Sequence, residues 1–342
     1  MLRPVVSVIS LFVLVMAAAG CGSPDDGPGR IWPPTPTPVI VTPTATPPVE
    51  APAEPPTELR VAFINLLSPL QVDATNTVAA ETADERLEIV IDQLREFKPD
   101  IVGFNEASVT KTHGSAILKL AKELRMEPQY HRANPWLPGQ TREQSDDLVK
   151  QVGFEEGELL LVRGDRFPLK QAEAYILNPR SSESGERRIA IHAIIKGPDG
   201  VGDIDVFITH LTGGGDRVRR QQATDFAVLV ARQRGDGPTI AMVGQSDPLA
   251  NSTYDSYTPI GLRDVARQSP IVTCCRETVI GPQPELTARS DYLMSARLEA
   301  GSYQLFGDTP GIRADGRLLY ASDHNGIMAV FPLTPKVALP SE

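Results

Sequence analysis

Residues 58–334 are predicted to fold as a domain of mixed α and β structure, and three features of the 342-residue chain point that way. Short apolar runs alternate with longer segments of helical periodicity. A hydrophobic content of 41% suffices for a sizeable core. Polar and ionisable residues fall at the ends of the apolar runs, where a sheet-based fold presents groups to a ligand.

Two segments ahead of that domain cannot join a core. Arg3, the apolar run Val5 to Met16 and the small residues that follow have the form of an export signal. The run stops at Gly20, short of the roughly 20 apolar residues that a spanning helix needs. Ala18, Ala19, Gly20 and Cys21 resemble the lipobox of bacterial lipoproteins. That resemblance implies a signal over residues 1–21, lipid attachment at Cys21 and a position on the extracytoplasmic side of the cell membrane. Residues 22–57 include the string PPTPTPVIVTPTATPPVEAPAEPP and read as a disordered, extended spacer. Residues 335–342 form a tail.

Within the domain the predicted strands are LRVAFINL from Leu59, DIVGFN from Asp100, ELLLVR from Glu158, RIAIHAIIK from Arg188, DIDVFITHL from Asp203, TIAMVG from Thr239, SDYLMSA from Ser290 and GIMAVFPL from Gly326. Thr82 and Glu85 have the spacing of a capping box. The apolar residues Leu87, Val90, Ile91, Leu94 and Phe97 then recur at helical spacing, so this helix should bury one face on a sheet. Further helices are predicted over Ser115 to Leu124 and about Arg217 to Arg234.

Forty-three acidic against 33 basic side chains give a net charge of −10, which disfavours general nucleic-acid binding and weakly favours small or lipid-headgroup substrates. The cysteines Cys21, Cys274 and Cys275 are too few for a disulfide scaffold and lack the spacing of a zinc motif, so no thiolate metal site is expected. Nothing in the sequence points to a protein partner.

At the strand ends stand Asn65, Asn105 with Glu106, and His210; Asp291 lies within its strand, and Asp323 with His324 precedes the last one. Phosphoester hydrolysis needs a hard cation to neutralise phosphate oxygens, an oriented water and an acid for the leaving group, and these residue types supply all of them. An oxygen-rich set without thiolate suits Mg²⁺ or Mn²⁺ better than zinc. His113, His131 and His192 read as loop or core residues.

The order Asn, Glu, His, a carboxylate near GQSD, Asp and Asp-His is also that of the endonuclease/exonuclease/phosphatase family, which the sequence resembles from Glu58 to Leu333. GFEEGELLLVRGDRFP, the opening Arg187 or Arg188, ITHL, RSDYLM and SDH carry the likeness further. The resemblance implies an α+β, four-layer sandwich of two mixed sheets flanked by helices, the DNase I-like fold, and metal-dependent hydrolysis of phosphate esters. It assigns Glu106 and Asn65 to the cation, His210 and Asn105 to the phosphate, and Asp291 to orienting His324, with Asp323 beside metal and water. Family members cleave DNA, phosphoinositides, sphingomyelin and small phosphate esters, so the substrate stays open.

One segment departs from the family's Gly-Asp-Xaa-Asn. Here it reads Gly244, Gln245, Ser246, Asp247, with a neutral amide in place of the acid. Asp247 returns to the same face of an extended segment and is a candidate substitute. The alternative reading is a catalytically impaired lipoprotein that binds phosphorylated ligands. Cys274 and Cys275 resemble a Cys-Cys pair of some family members, either as a vicinal disulfide or as two buried thiols.

Overall fold

The computed structural model describes residues 54–69, 80–136, 140–178, 187–213, 215–245, 251–267, 269, 271–282 and 286–334. Cys21, the export segment, most of the spacer, the tail, Ser246 and Asp247 lie outside the described residues. In chain order the strands are β1 (Glu58–Asn65), β2 (Ile101–Thr110), β3 (Gly114–Ser115), β4 (Glu127–Asn134), β5 (Phe154–Val162), β6 (Leu169–Ile176), β7 (Ile189–Lys196), β8 (Asp203–Leu211), β9 (Thr239–Gln245), β10 (Arg263–Asp264), β11 (Tyr292–Ala296), β12 (Ser302–Phe306), β13 (Gly311–Ile312), β14 (Leu318–Leu319) and β15 (Gly326–Pro332). The longer helices are α1 (Ala83–Phe97), α2 (Ala116–Leu124), α3 (Arg142–Val152) and α4 (Asp216–Gln233).

Two mixed sheets carry the fold. One has the order β12-β15-β1-β2-β5-β4, with β3 added to β2, and the other the order β10-β11-β9-β8-β7-β6. Period-two alternation along each central strand explains the layering. Leu59, Val61 and Phe63 of β1 enter a core shared with Ile204, Val206 and Ile208 of β8 and Ile240 and Met242 of β9. Ala62 and Ile64 face the other way, onto Leu87, Val90, Ile91 and Leu94 of α1 and Ile117 and Leu120 of α2. Phe207, Ala241 and Val243 pack outward against Phe226 and Val230 of α4. Helices, sheet, sheet and helix thus make four layers. Strands buried on both faces must be apolar throughout, which is why they were legible as unbroken runs.

The pairs β1/β2 and β8/β9 are parallel, and α1 and α4 provide the crossovers that parallel pairing requires. Asn65 therefore lies opposite Asn105, and His210 opposite Gly244, at the same ends of their strands.

Several local expectations change. The Thr82 side chain makes no cap hydrogen bond at the start of α1, because its backbone (φ −104°, ψ 5°) is not in the extended conformation that aims a cap oxygen at the helix. The reciprocal capping box is instead Thr141 with Gln144, on α3, a helix that the sequence reading did not include. Strand β2 does not stop at Asn105 but continues to Thr110 through a bulge between Phe104 and Ala107. The strands β4, β6 and β12 were also missed. All three are sheet edges, which bury less and so carry a weaker apolar pattern.

Gly157 on β5 has no room for a side chain, because a Cβ there would overlap the His131 carbonyl oxygen and stand 2.8 Å from Arg132 Cα on neighbouring β4. Backbone cannot rotate away as a side chain does. Gly157→Ala is expected to cost ~1–3 kcal/mol, measured as a lower urea midpoint at unchanged slope.

Candidate active site

Asn65 is buried at the end of β1, and its Nδ2 donates to Glu106 Oε1 at 2.9 Å while its Oδ1 accepts from the Leu67 amide at 2.9 Å. The Ser68 amide donates to Glu106 Oε2 at 2.7 Å. Glu106 itself sits in the β2 bulge with φ at 57°, a left-handed conformation that costs energy for a residue with a Cβ. The bulge turns its carboxylate out of a stretch, Ile101 to Ala107, that is otherwise wholly buried. Beneath it lies Arg86 of α1, whose Nη1 donates to Leu66 O at 2.7 Å and Ala321 O at 3.1 Å, and whose Nη2 donates to Leu67 O at 3.0 Å. Burial lowers the guanidinium pKa to about 10 against the opposing pull of Asp323 and Glu106, so it remains charged at neutral pH.

His210 ends β8 from the opposite sheet, with Nδ1 at 4.0 Å from Glu106 Oε1. Arg188 Nη1 donates to the same Nδ1 at 3.1 Å. Burial, reinforced by the charges of Arg188 and His324, holds this imidazole well below the usual histidine range. It is therefore neutral, with its hydrogen on Nε2.

Asn105 is fully buried, and its amide nitrogen donates to Glu158 Oε2 and to Thr209 O at 3.3 Å. It ties β2 to β5 and β8 and so supports the floor of the site. Gly244 is required beside it, since any Cβ there would overlap Asn105 Oδ1. Gln245 is likewise buried, with Oε1 accepting from Thr253 Oγ1 at 3.0 Å. Asp247 lies outside the described residues.

On the far side His324 Nδ1 donates to Asp291 Oδ2 at 2.7 Å. Ser290 Oγ donates to the same oxygen at 2.9 Å, and Thr273 Oγ1 accepts from the Asp291 amide at 3.1 Å. Burial pulls the imidazole pKa down, but the charges of Asp291 and Asp323 and the bond to Asp291 outweigh it and raise the value to about 9. His324 is thus protonated at neutral pH. Asp323 is half-buried, and its Oδ1 accepts from Ser322 Oγ at 3.1 Å. Cys274 and Cys275 are joined as a vicinal disulfide, and Cys275 Sγ stands 3.8 Å from His324 Nε2.

A carboxylate that is 10% exposed, a neutral imidazole and a protonated imidazole backed by a carboxylate meet where the two sheets end. No family model and no curated protein sequence matches the chain. Solved structures do. An endonuclease/exonuclease/phosphatase family protein from Bacteroides thetaiotaomicron superposes with a TM-score of 0.62 at 17% identity, covering 81% of this chain and 98% of that one. The fold is that of the endonuclease/exonuclease/phosphatase proteins. A mannosyl-6-phosphatase from the same organism matches with a TM-score of 0.56 at 17% identity over 79% of this chain and 98% of its own. The human Nocturnin catalytic domain, solved with a bound sulfate, matches with a TM-score of 0.54 at 17% identity over 81% of this chain and 94% of its own.

On this endonuclease/exonuclease/phosphatase fold, several residues join the site that sequence reasoning passed over. Arg86 occupies the buried stripe of α1 in line with Val90 and Leu94, and a charged residue at an apolar period was its readable signal. Arg276 donates from Nη1 to Ser322 O at 2.9 Å and from its amide to Asp323 O at 2.9 Å, holding the His324 loop. Glu156 and Glu158 line β5 behind Glu106. Burial, aided by the charge of Glu106, raises Glu156 to about 7, and burial raises Glu158 to about 8 against the pull of Arg188.

Glu158 is therefore protonated in the folded chain where it would ionise, from 4.5 upward, in the unfolded one. Its contribution to stability is fully present below 4.5 and is lost as pH rises through about 8. Glu158→Gln keeps an acceptor for Asn105 without a titratable group. The variant's melting temperature is expected to gain on the parent's steadily between pH 5 and pH 8, and thermal scans across that range would show a flat difference if Glu158 were ionised throughout.

Proposed function

We propose that this chain is a divalent-metal-dependent phosphoester hydrolase held outside a cell membrane by a lipid on Cys21, with a small or headgroup-like phosphate ester as substrate. The observation that carries this reading is the meeting of Glu106 with His210, 4.0 Å away on the other sheet, beside a His324 bonded to Asp291 at 2.7 Å, with the surroundings pushing the two imidazoles in opposite directions.

The residues present fit a hard cation. Glu106 is the carboxylate turned toward the cleft, both its oxygens are oriented by amide donors, and among the described residues no set of His, Cys, Asp or Glu ligand atoms closes around it. Mg²⁺ and Mn²⁺ sites of this kind use one or two carboxylates and leave the remaining positions to water and substrate phosphate. Glu106 would hold the ion, with Asn65 orienting the carboxylate. Bound there, the cation supplies positive charge to the phosphate oxygens. His210 offers Nε2–H to a phosphate oxygen. His324 carries a proton for the leaving group, and Asp291 fixes its tautomer and direction and stabilises its charge. Gln245, which stands where the family carries an acid, is buried against Thr253 and cannot take a proton at neutral pH. That neutral residue favours a second reading, a slow or inactive binder of phosphorylated ligands, unless Asp247 accepts the proton.

Support for a small ester comes from the net charge of −10 and from the mannosyl-6-phosphatase among similar structures. No helix among the described residues is long and apolar enough to cross a membrane, and the proposed tether rests on the lipobox-like sequence at Cys21.

Turnover of phosphomonoesters and phosphodiesters by the purified chain, with and without Mg²⁺ or Mn²⁺, tests the proposal. Chelation or Glu106→Gln is expected to abolish it, and Asp247→Ala or His324→Gln to lower it ~10²-fold or more. No turnover of any ester with either ion leaves the binding reading. The basic limb of the kcat/KM profile should fall near pH 9, as His324 loses its proton, and should move toward the ordinary histidine value of 6.5 in Asp291→Asn. An unmoved limb in that variant removes His324 as the acid.

A further inference from the structure

The phosphoesterase reading makes no use of the bonded pair Cys274–Cys275, yet the pair is built against its acid. Cys275 Sγ lies 3.8 Å from His324 Nε2, the nitrogen that the Asp291 bond leaves facing outward. One ligand atom from each of Cys274, Cys275 and His324 lies within 4.8 Å of the others, and no other set of His, Cys, Asp or Glu among the described residues is so gathered. The surrounding backbone is held in place: the amides of Thr273 and Cys274 donate to Ala288 O at 2.9 and 3.0 Å, and that of Arg276 to Asp323 O at 2.9 Å. Spacing along the sequence contained no zinc motif. The fold supplies the third ligand.

Sulfurs bonded to each other are poor metal donors, because a metal takes thiolates. A dithiol reductant changes that. Thiol–disulfide exchange breaks the Cys274–Cys275 bond, moves two electrons from the reductant, closes the reductant's own disulfide and leaves two thiols beside an imidazole. Two sulfurs and one nitrogen are a donor set for a thiophilic ion and not for Mg²⁺. We propose that Cys274, Cys275 and His324 form, once the disulfide is reduced, a binding site for a thiophilic divalent cation such as Zn²⁺ or Cd²⁺. On binding, both thiols and the His324 Nε2 release their protons to solvent, and Nε2 is withdrawn from the phosphate. Only this last consequence, inhibition, rests on the phosphoesterase reading.

The test uses the full chain with Cys21→Ser in every sample, so that the pair supplies the only thiols, and excess Mg²⁺ to occupy the oxygen site. After treatment with a dithiol reductant and its removal, Cd²⁺ is titrated in while the ultraviolet thiolate-to-cadmium absorption and bound Cd²⁺ are measured. The expected result is one Cd²⁺ per reduced chain and none per oxidised chain. Affinity should fall about tenfold or more in His324→Ala, no less than the loss of an outer-shell partner costs. The His324 imidazole resonances of the parent should shift on binding, which reads the same contact without a variant. Absence of thiolate absorption in the reduced chain, or unshifted His324 resonances at saturation, overturns the site. Turnover is followed in parallel and should be lost with Cd²⁺ only after reduction, returning with a thiol-competing chelator. A chain that binds Cd²⁺ through His324 but turns over no ester under any condition upholds this site and overturns the hydrolase reading instead.

Discussion

The candidate site exists because two sheets pack face to face in one register. On β2, Gly103 has no side chain, and a Cβ there would stand 2.5 Å from Met242 Sδ and 2.9 Å from Ile208 Cδ1, so β9 and β8 fill the space that the glycine leaves. Sheets packed in this way lie about 10 Å apart, near enough for side chains at their ends to meet. Glu106 belongs to one sheet and His210 to the other, and they approach to 4.0 Å. Neither sheet alone assembles the group. The parallel pairs β1/β2 and β8/β9 then place their polar ends side by side, because each crossover helix returns the chain to the end at which the first strand of the pair began.

Electrostatics around that meeting point are set by burial more than by net charge. Arg86 joins the loop after β1 to the segment before β15 through backbone carbonyls, and Arg276 joins its own loop to the same segment through Ser322 O and Asn325 Oδ1. They bring positive charge beneath Glu106 and Asp323 while making the loops stiff, since a buried guanidinium loses too much if its acceptors move. The same low-dielectric surroundings push the two histidines apart. His210 faces Arg188 and stays neutral, whereas His324 faces Asp291 and stays charged. Identical side chains thereby take different roles through different neighbours.

Burial also explains why some residues changed meaning between sequence and structure. Asn105 is fully buried, and its amide nitrogen is committed to Glu158 and Thr209. Glu158, the first residue of the predicted ELLLVR strand, is a protonated acid inside the sandwich. Thr82 and Glu85 have capping-box spacing without its geometry, while Thr141 and Gln144 form the box. Spacing reports which bonds a segment can make; the backbone angles and the neighbours report which it does.

The sequence by itself determined the mixed α and β class, the eight central strands, the helices over α1, α2 and α4, and the placing of Asn65 and His210 at the ends of their strands and of His324 ahead of the last one. These follow from local periodicity, because a strand buried on both faces must be apolar throughout and a one-faced helix must repeat at its turn. Tertiary structure alone decided that Glu106 leaves the β2 pleat through a bulge, that Arg86 and Arg276 hold the loops around it, that His210 and His324 carry opposite charge states, and that Cys275 touches His324. Each of these depends on groups distant in sequence brought into register across a sheet or between sheets, and on the dielectric they then share, neither of which any local stretch of residues contains.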